Sequence, residues 1–312
     1  MSGVVLIVAH PRLGNTLELV TAARGSVTHV AAFGAVDVAS LAASGVAAVH
    51  TVSEARVADG QVDAMADAVT QLARTLNAAL VLIPHNPLAL DLAPRIACAL
   101  DGDAATGCVA VALVDDYWTC TRPRQGGIAH EVLAYPGPLV ATVRAGNYAP
   151  AASDAATPAS VTAFDYTPSP AATRVTLIER RQDDAGDGPR LEDAKAIVAG
   201  GRGLEGPEGF AVLQELAAGL GAVVGASRVP CDLGWCPRSW QIGLTGRTVT
   251  PELYVAVGIS GASHHMAGCG NARTIVAINT DRDAAIFRDA RYGLVGDYRA
   301  IVPALIAALK QS

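Results

Sequence analysis

Residues 257–269 read VGISGASHHMAGC, two adjacent histidines and a cysteine just behind a glycine-punctuated apolar run. Three chemistries use such residues: metal ligation, nucleophilic attack, and contact with a ligand laid across a strand end. Adjacent helix positions project about 100° apart, so His264 and His265 cannot both face one ion from a single helix. His265 and Cys269 share a face at i, i+4. Cys231 and Cys236 are spaced too loosely for a zinc knuckle, and no fourth ligand stands out. A Cys–His nucleophile needs an orienting partner and an oxyanion hole, and nothing in the sequence marks either. The expectation is no metal, with one histidine facing a ligand and the other packed or solvated.

Other polar groups follow apolar runs in the same half of the chain. GAVVGAS (221–227) leads to Ser227 and Arg228, LYVAVGIS (253–260) to Ser260 and Gly261, and TIVAIN (274–279) to Asn279 and Asp281. A strand–glycine–helix junction offers backbone N–H groups and the positive end of a helix, which together suit a phosphate. Ser260-Gly261-Ala262 is such a junction. Neither GxGxxG nor GxxxxGK[ST] occurs. Each polar group has a plain structural alternative. Arg228 reads equally as a surface or ion-paired arginine, Asn279 and Asp281 as turn residues, Asp297 as a helix cap and Thr245 as a hairpin-turn residue.

The elements that must position these groups alternate strand and helix. GVVLIVAH (3–10), ALVLIP (79–84) and GCVAVALV (107–114) read as buried strands, near-continuous in aliphatic residues. Residues 61–78 place Val62, Met65, Val69, Leu72 and Leu76 at helical spacing. Residues 148–170 read as a loop or extended crossing and 174–179 as a short strand. The polar stretch 181–190, RQDDAGDGPR, is the best linker, which places a domain boundary between 187 and 188. Beyond it AKAIVAG (194–200), a turn at 201–204, a helix over 207–220, the three strands named above, a helix from about Ala262 and a closing helix over 303–310 repeat the grammar. The fold class is α/β, two doubly wound domains with mostly parallel sheets. In such sheets ligands bind beyond the carboxyl ends of the strands, where Ser227, Ser260 and Asn279 fall.

Bulk properties narrow the partners. A net charge of −6 gives no electrostatic case for nucleic acid or an anionic membrane. No apolar run is long enough to cross a bilayer. The first apolar run starts too early to leave room for a signal or transit peptide, and six scattered cysteines read as reduced and mostly buried. The cytoplasm is the expected compartment.

From Leu191 onward the chain resembles the alpha subunit of electron-transfer flavoproteins. The stretches that carry the resemblance are GGRGLEGPEGF (200–210), LGAVVGASRVPCDLGW (220–235), PRSWQIGLTGRTVTPELYVAVGISGASHHMAGC (237–269), TIVAINTDRDAAIF (274–287) and ARYGLVGD (290–297). DLAPRIACAL (91–100), TRP (121–123) and TVRAGNY (142–148) match more weakly. The resemblance implies a Rossmann-like C-terminal domain that binds FAD, an N-terminal domain that contacts a partner, and a heterodimer whose beta subunit completes the site and holds AMP. It implies electrons taken from flavin dehydrogenases and passed to an acceptor such as a quinone oxidoreductase, by a carrier rather than a substrate-converting enzyme.

By that resemblance Ser227 and Arg228 are flavin-site residues, with Arg228 against the isoalloxazine, where a fixed positive charge favours the one-electron-reduced anionic ring. Gln241, Gly243, Thr245 and Gly246 form the QxGxTG loop, with the Thr245 hydroxyl in reach of flavin N5. Ser260, Gly261 and Ala262 match the pyrophosphate loop, His265 the histidine that hydrogen-bonds the flavin C2 carbonyl, and Asn279 and Asp297 the residues at the adenosine end. Departures stand at Leu244 and His264, where glutamine is usual, at Arg291 for an acidic residue, at Thr280 for a lysine, and around 122–131. One lost neutral hydrogen bond costs about 0.5–1.5 kcal/mol, so FAD binding is expected to survive Leu244. The competing readings are a flavin- or NAD-linked oxidoreductase acting on a small molecule, and a degenerate scaffold subunit without redox function.

Overall fold

The computed structural model describes residues 3–127, 129–153, 158–179 and 190–311, and the chain divides into two compact units, Met1–Arg180 and Arg181–Ser312. The linker expected at 181–190, and with it the boundary between 187 and 188, lies outside the described residues except for Arg190.

In the first unit, β1 (Val4–Val8), α1 (Leu13–Ala22), β2 (Val27–Phe33), α2 (Val38–Ala42), β3 (Ala48–Val52), α3 (Ala55–Ala58), α4 (Val62–Leu76), β4 (Ala78–Pro84) and α5 (Pro87–Ala99) follow in order. Then come β5 (Asp103–Cys108), β6 (Ala110–Val114), β7 (Tyr117–Arg124), β8 (Ala129–Tyr135), β9 (Leu139–Val143) and β10 (Ser160–Ala163). Seven of these strands form one parallel sheet in the order β10-β3-β2-β1-β4-β9-β5. Alternate residues of its central strands face two cores. Val5, Ile7, Leu80 and Leu82 meet Leu17, Leu19 and Val20 of α1, while Leu6, Val81 and Ile83 meet Met65, Val69 and Leu72 of α4 and Leu92 and Ile96 of α5. Two-sided burial is why these strands read as unbroken aliphatic runs. Local chemistry sets the helix ends: Asn77 closes α4 in the left-handed conformation, and the Asn86 side chain accepts from Ala89 N–H ahead of Pro87 to open α5.

Several expectations are corrected here. Residues 107–114 are not one strand. Gly107 has φ +71°, the register breaks between Ala105 and Cys108, and the chain turns out of the parallel sheet into an antiparallel β6-β7-β8 sheet. The crossing over 148–170 contains β10, which pairs with β3 at the sheet edge. Residues 174–179 form no strand: Val175, Leu177 and Ile178 are exposed, and alternation alone cannot make a strand without a neighbour.

The second unit runs β11 (Ala196–Gly200), α6 (Glu208–Leu220), β12 (Val223–Ala226), α7 (Arg228–Asp232), β13 (Leu253–Val257), α8 (Ser263–Cys269), β14 (Ile275–Asn279), β15 (Tyr292–Val295) and α9 (Tyr298–Leu309). Its strands are all parallel in the order β12-β11-β13-β14-β15. Val198, Val224, Val255 and Ile278 pack on Phe210, Leu213 and Leu216 of α6 and Val302 and Ile306 of α9. Ile197, Tyr254, Ala256 and Ala277 pack on the other face against Ile242, Ile259, Ile286 and Cys269. The closing helix starts at Tyr298 rather than 303, because Asp297 caps it through Arg299 N–H at 2.8 Å and Pro303 is carried inside. Both units are α/β with parallel sheets, as expected. Among the described residues no helix is long and apolar enough to cross a membrane.

Candidate functional site

Parallel strands deliver their carboxyl ends to one edge, and in the second unit that edge collects most of the polar groups singled out from sequence. Ser227 and Arg228 follow β12, Ser260, Gly261 and Ala262 follow β13, Asn279 ends β14, and Asp297 follows β15. The order β12-β11-β13 reverses direction at β11, so the crevice between β11 and β13 is the topological switch point. There the two loops touch backbone to backbone. Gly203 N–H donates to Gly258 O at 3.0 Å, and a Cβ on Gly201 would stand 2.1 Å from that oxygen.

The segment 241–247 is tied to this edge from two sides. Ile242 N–H donates to Ala226 O at 2.9 Å beside β12, and Leu244 N–H donates to His264 O at 2.7 Å at α8. Within the loop Gly246 N–H reaches Gly243 O and Arg247 N–H reaches Gln241 O. Gly246 has no room for a side chain, since a Cβ would lie 2.4 Å from Gln241 O. Gln241 is buried and its Nε2 donates to Thr245 Oγ1 at 3.0 Å. That bond uses a lone pair of the hydroxyl, so the Thr245 proton is left to donate outward. Thr245 and Leu244 are exposed.

Arg228 is exposed and held by Asp232 one turn on, Nε to Oδ2 at 2.9 Å, with Arg238 on the other carboxylate oxygen at 3.7 Å. An exposed pair contributes at most about 1 kcal/mol to stability, so its main effect is to aim the guanidinium. Gly261, at φ +80°, packs so closely on Ile286 that a Cβ would meet its nitrogen at 2.2 Å. Ile286 N–H in turn donates to Ser260 O at 3.0 Å, which fixes the Ser260–Ala262 bend. Asn279 donates to Ile259 O and accepts from Asp281 N–H, and Asp297 caps α9. Both therefore do the structural work that the sequence left open for them.

His265 sits in the core. Its Nδ1 lies 3.1 Å from Ile242 O and its Nε2 2.9 Å from the Tyr254 hydroxyl. A carbonyl can only accept, so Nδ1 carries the proton and Nε2 accepts from tyrosine. Burial holds the ring neutral, with its pKa lowered to about 4. The structure therefore differs from the sequence expectation in that both ring nitrogens are already engaged within the fold. His264 is exposed, and Cys269 is buried with its thiol pushed up to about 12, chiefly by burial. Among the described residues no group of three or more His, Cys, Asp or Glu side chains could hold a metal.

The first unit closes its strand ends differently. His85 Nδ1 and Thr142 Oγ1 are 2.8 Å apart after β4 and in β9, and the same hydroxyl accepts from Gly107 N–H at 2.9 Å. Burial and then Arg144 keep His85 neutral, with its pKa lowered to about 4. Tyr254 and Asp232, which hold the candidate residues His265 and Arg228, are partners that the sequence reading missed. Asp232 was legible as the i+4 neighbour of Arg228 on a short helix. Tyr254 was not, because only the fold brings it to His265.

Residues 13–169 match the electron transfer flavoprotein domain and residues 190–270 the electron transfer flavoprotein FAD-binding domain. The chain is 40% identical over 232 residues to the electron transfer flavoprotein subunit alpha of Bacillus subtilis, covering 74% of this chain and 70% of the relative. It is 38% identical over 266 residues to that of Thermoanaerobacterium thermosaccharolyticum, covering 84% and 80%. Against that of Pseudomonas aeruginosa it is 36% identical over 301 residues, 94% of each chain. The chain belongs to the electron transfer flavoprotein alpha-subunit family, binds FAD through the domain in its second unit, and works in electron transfer with a partner subunit.

Proposed function

We propose that FAD lies along the carboxyl edge of the second unit's sheet and that the chain passes electrons singly from a flavin dehydrogenase to an acceptor such as a quinone oxidoreductase, in the cytoplasm. In this reading residues 188–312 hold the flavin. Residues 1–187 serve a beta subunit that completes the site as a heterodimer and holds AMP. The observation that carries it is the convergence of Ser227, Arg228, Ser260, Gly261, Ala262, Asn279 and Asp297 on one sheet edge, with the 241–246 loop tethered beside them. The donor set fits the cofactor: the exposed guanidinium of Arg228, the hydroxyls of Ser227, Thr245 and Ser260, and glycines that bring backbone close. The exposed side chains of Val114, Tyr117, Val132 and Leu133 in the first unit's antiparallel sheet support its assignment to a protein partner.

Bound FAD supplies the redox chemistry, and this chain's residues set its environment. Arg228, aimed by Asp232, places a fixed positive charge that lowers the cost of adding an electron nearby. Thr245 donates the proton that Gln241 leaves free, with Gly243 and Gly246 allowing the loop to fold that tightly. The Ser260–Ala262 bend serves the pyrophosphate, and Asn279 and Asp297 the adenosine end with whatever capacity their caps leave. His265 acts by bracing: it anchors Ile242 while its neighbour's carbonyl anchors Leu244, so the loop carrying Thr245 is held from the core. A direct bond from its ring to the flavin requires the ring to give up Tyr254 or Ile242.

The test is a visible spectrum of the chain co-purified with its beta subunit, followed by stepwise dithionite reduction. Flavin bands that bleach stepwise are expected. Arg228→Met should lower the reduction potential and weaken FAD binding roughly tenfold, the scale of one charge-assisted hydrogen bond. A colourless pair that takes up no added FAD overturns the reading.

A further inference from the structure

Cys231 and Cys236 take no part in the flavin reading, yet the fold holds their sulfurs together. Cys231 lies in α7 and Cys236 follows the turn after it, with Sγ atoms 3.5 Å apart. Backbone bonds set this approach. Trp235 N–H donates to Pro230 O at 2.9 Å, Gly234 N–H donates to Cys231 O at 3.1 Å, and Gly234 turns the chain at φ +73°. Both thiols are buried at the rim of the core, while Asp232, Leu233 and Gly234 between them are exposed. A disulfide needs its sulfurs about 2.0 Å apart, so an approach of about 1.5 Å separates the two states.

We propose that Cys231 and Cys236 form a dithiol that a hydroperoxide oxidises to an intramolecular disulfide, a modification that pins the turn behind Arg228. The inference does not rest on the flavin reading. Cys231 is the attacking thiol. The Cys236 S–H hydrogen bond, helped by Arg238, holds its pKa below the ordinary thiol value against burial and Asp232, whereas Cys236 is pushed up. With hydrogen peroxide, the Cys231 thiolate forms an S–O bond as the O–O bond breaks. The departing hydroxide takes up the Cys231 proton as water. The Cys236 sulfur then attacks the sulfenic acid, the S–S bond forms, the S–O bond breaks, and the hydroxide leaves with the Cys236 proton as a second water. The dithiol loses two electrons and two protons, and one peroxide becomes two waters.

Trypsin cleaves after Arg228 and Arg238, releasing residues 229–238 with both cysteines and no other. The reduced full-length chain is exposed to a few equivalents of hydrogen peroxide, denatured in maleimide, digested and weighed, with exposed Cys98 as a labelling control. The expected product is peptide 229–238 lighter by two hydrogens, free of maleimide, and open to two labels after dithiothreitol. In Cys236→Ser the reaction should stop at a sulfenic acid on Cys231 that dimedone traps, and in Cys231→Ser residue 236 should give no dimedone adduct. A peptide that keeps both labels at a dose that oxidises Cys98, or that passes only to sulfonic acid, overturns the proposal. The wild-type mass needs no variant, so a variant that fails to fold leaves the test intact.

Discussion

The two units lay parallel strands between two apolar layers and both keep a histidine neutral near the strand ends, yet their loops differ in what they offer. In the first unit His85 just after β4, Thr142 in β9 and Gly107 in β5 bond to one another at the strand ends, and the added antiparallel sheet carries exposed Tyr117, Val132 and Leu133. In the second unit the loops after β12 and β13 present Arg228, Thr245 and Ser260, while the buried His265 bonds Ile242 and Tyr254 behind the 241–247 segment. One architecture therefore serves twice, and the capacity to take a small ligand lies in loops rather than in the sheet. A strand end whose histidine and threonine bond to each other, in a unit with an exposed apolar sheet, suits a protein partner. An edge with exposed donors on a rigid base suits a cofactor.

The sharpest way to break this contrast is at Gly261. Gly261→Val must force a β-branched residue to φ +80° against Ile286 nitrogen, and should cost the second unit at least about 3 kcal/mol, read as a lower urea midpoint and lost FAD. A valine at Gly25, also at positive φ but with open space around it, should cost the first unit less, roughly 1–2 kcal/mol from backbone strain alone.

Acid should affect both units in the same direction. The unfolded chain takes up the His265 proton near pH 6.5 and the folded chain only near 4, so between these values the unfolded state binds more protons and stability falls as pH drops. The His265 contribution is roughly 3 kcal/mol, present above pH 6.5 and lost on the way down to about pH 4. His265→Gln should flatten urea midpoints across that window and loosen FAD, whereas His85→Gln should flatten them without touching FAD. If His85→Gln also releases FAD, the division of labour between the units fails.

The smallest expected effect is a gain. Leu244 is an exposed apolar residue in a loop otherwise built for hydrogen bonding. Leu244→Gln should tighten FAD by roughly two- to tenfold, one neutral hydrogen bond, in a direct titration. No change would mean that the 244 side chain does not face the cofactor.

Much of this was legible beforehand because buried parallel strands announce themselves. Val5–Val8 and Val255–Val257 are buried on both faces and read as continuous aliphatic runs. The failures have equally physical causes. Residues 107–114 stay apolar across a change of sheet, so composition gave no warning of the turn at Gly107. Residues 174–179 alternate like a strand, but pairing is a property of neighbours, and this segment has none in the sheet. At the site, residue types and strand-end positions are readable, and so is the capping of α9 by Asp297, the plain alternative to its expected place at the adenosine end. The inward turn of His265 was not readable, since its partners Tyr254 and Ile242 are 11 and 23 positions away in the chain.

The glycine contact between the loops after β11 and β13 has a consequence for how such a protein can vary. Gly201, Gly203 and Gly258 meet main chain against main chain, and any side chain there would stand within about 3 Å of the facing backbone. Those positions are closed to substitution, whereas 228, 244, 245 and 264 carry exposed side chains around the same edge. A library that randomises the edge should return functional diversity from the second set and only glycine from the first. Descendants of this fold can therefore change the chemistry of that edge while the seam beneath is inherited unchanged.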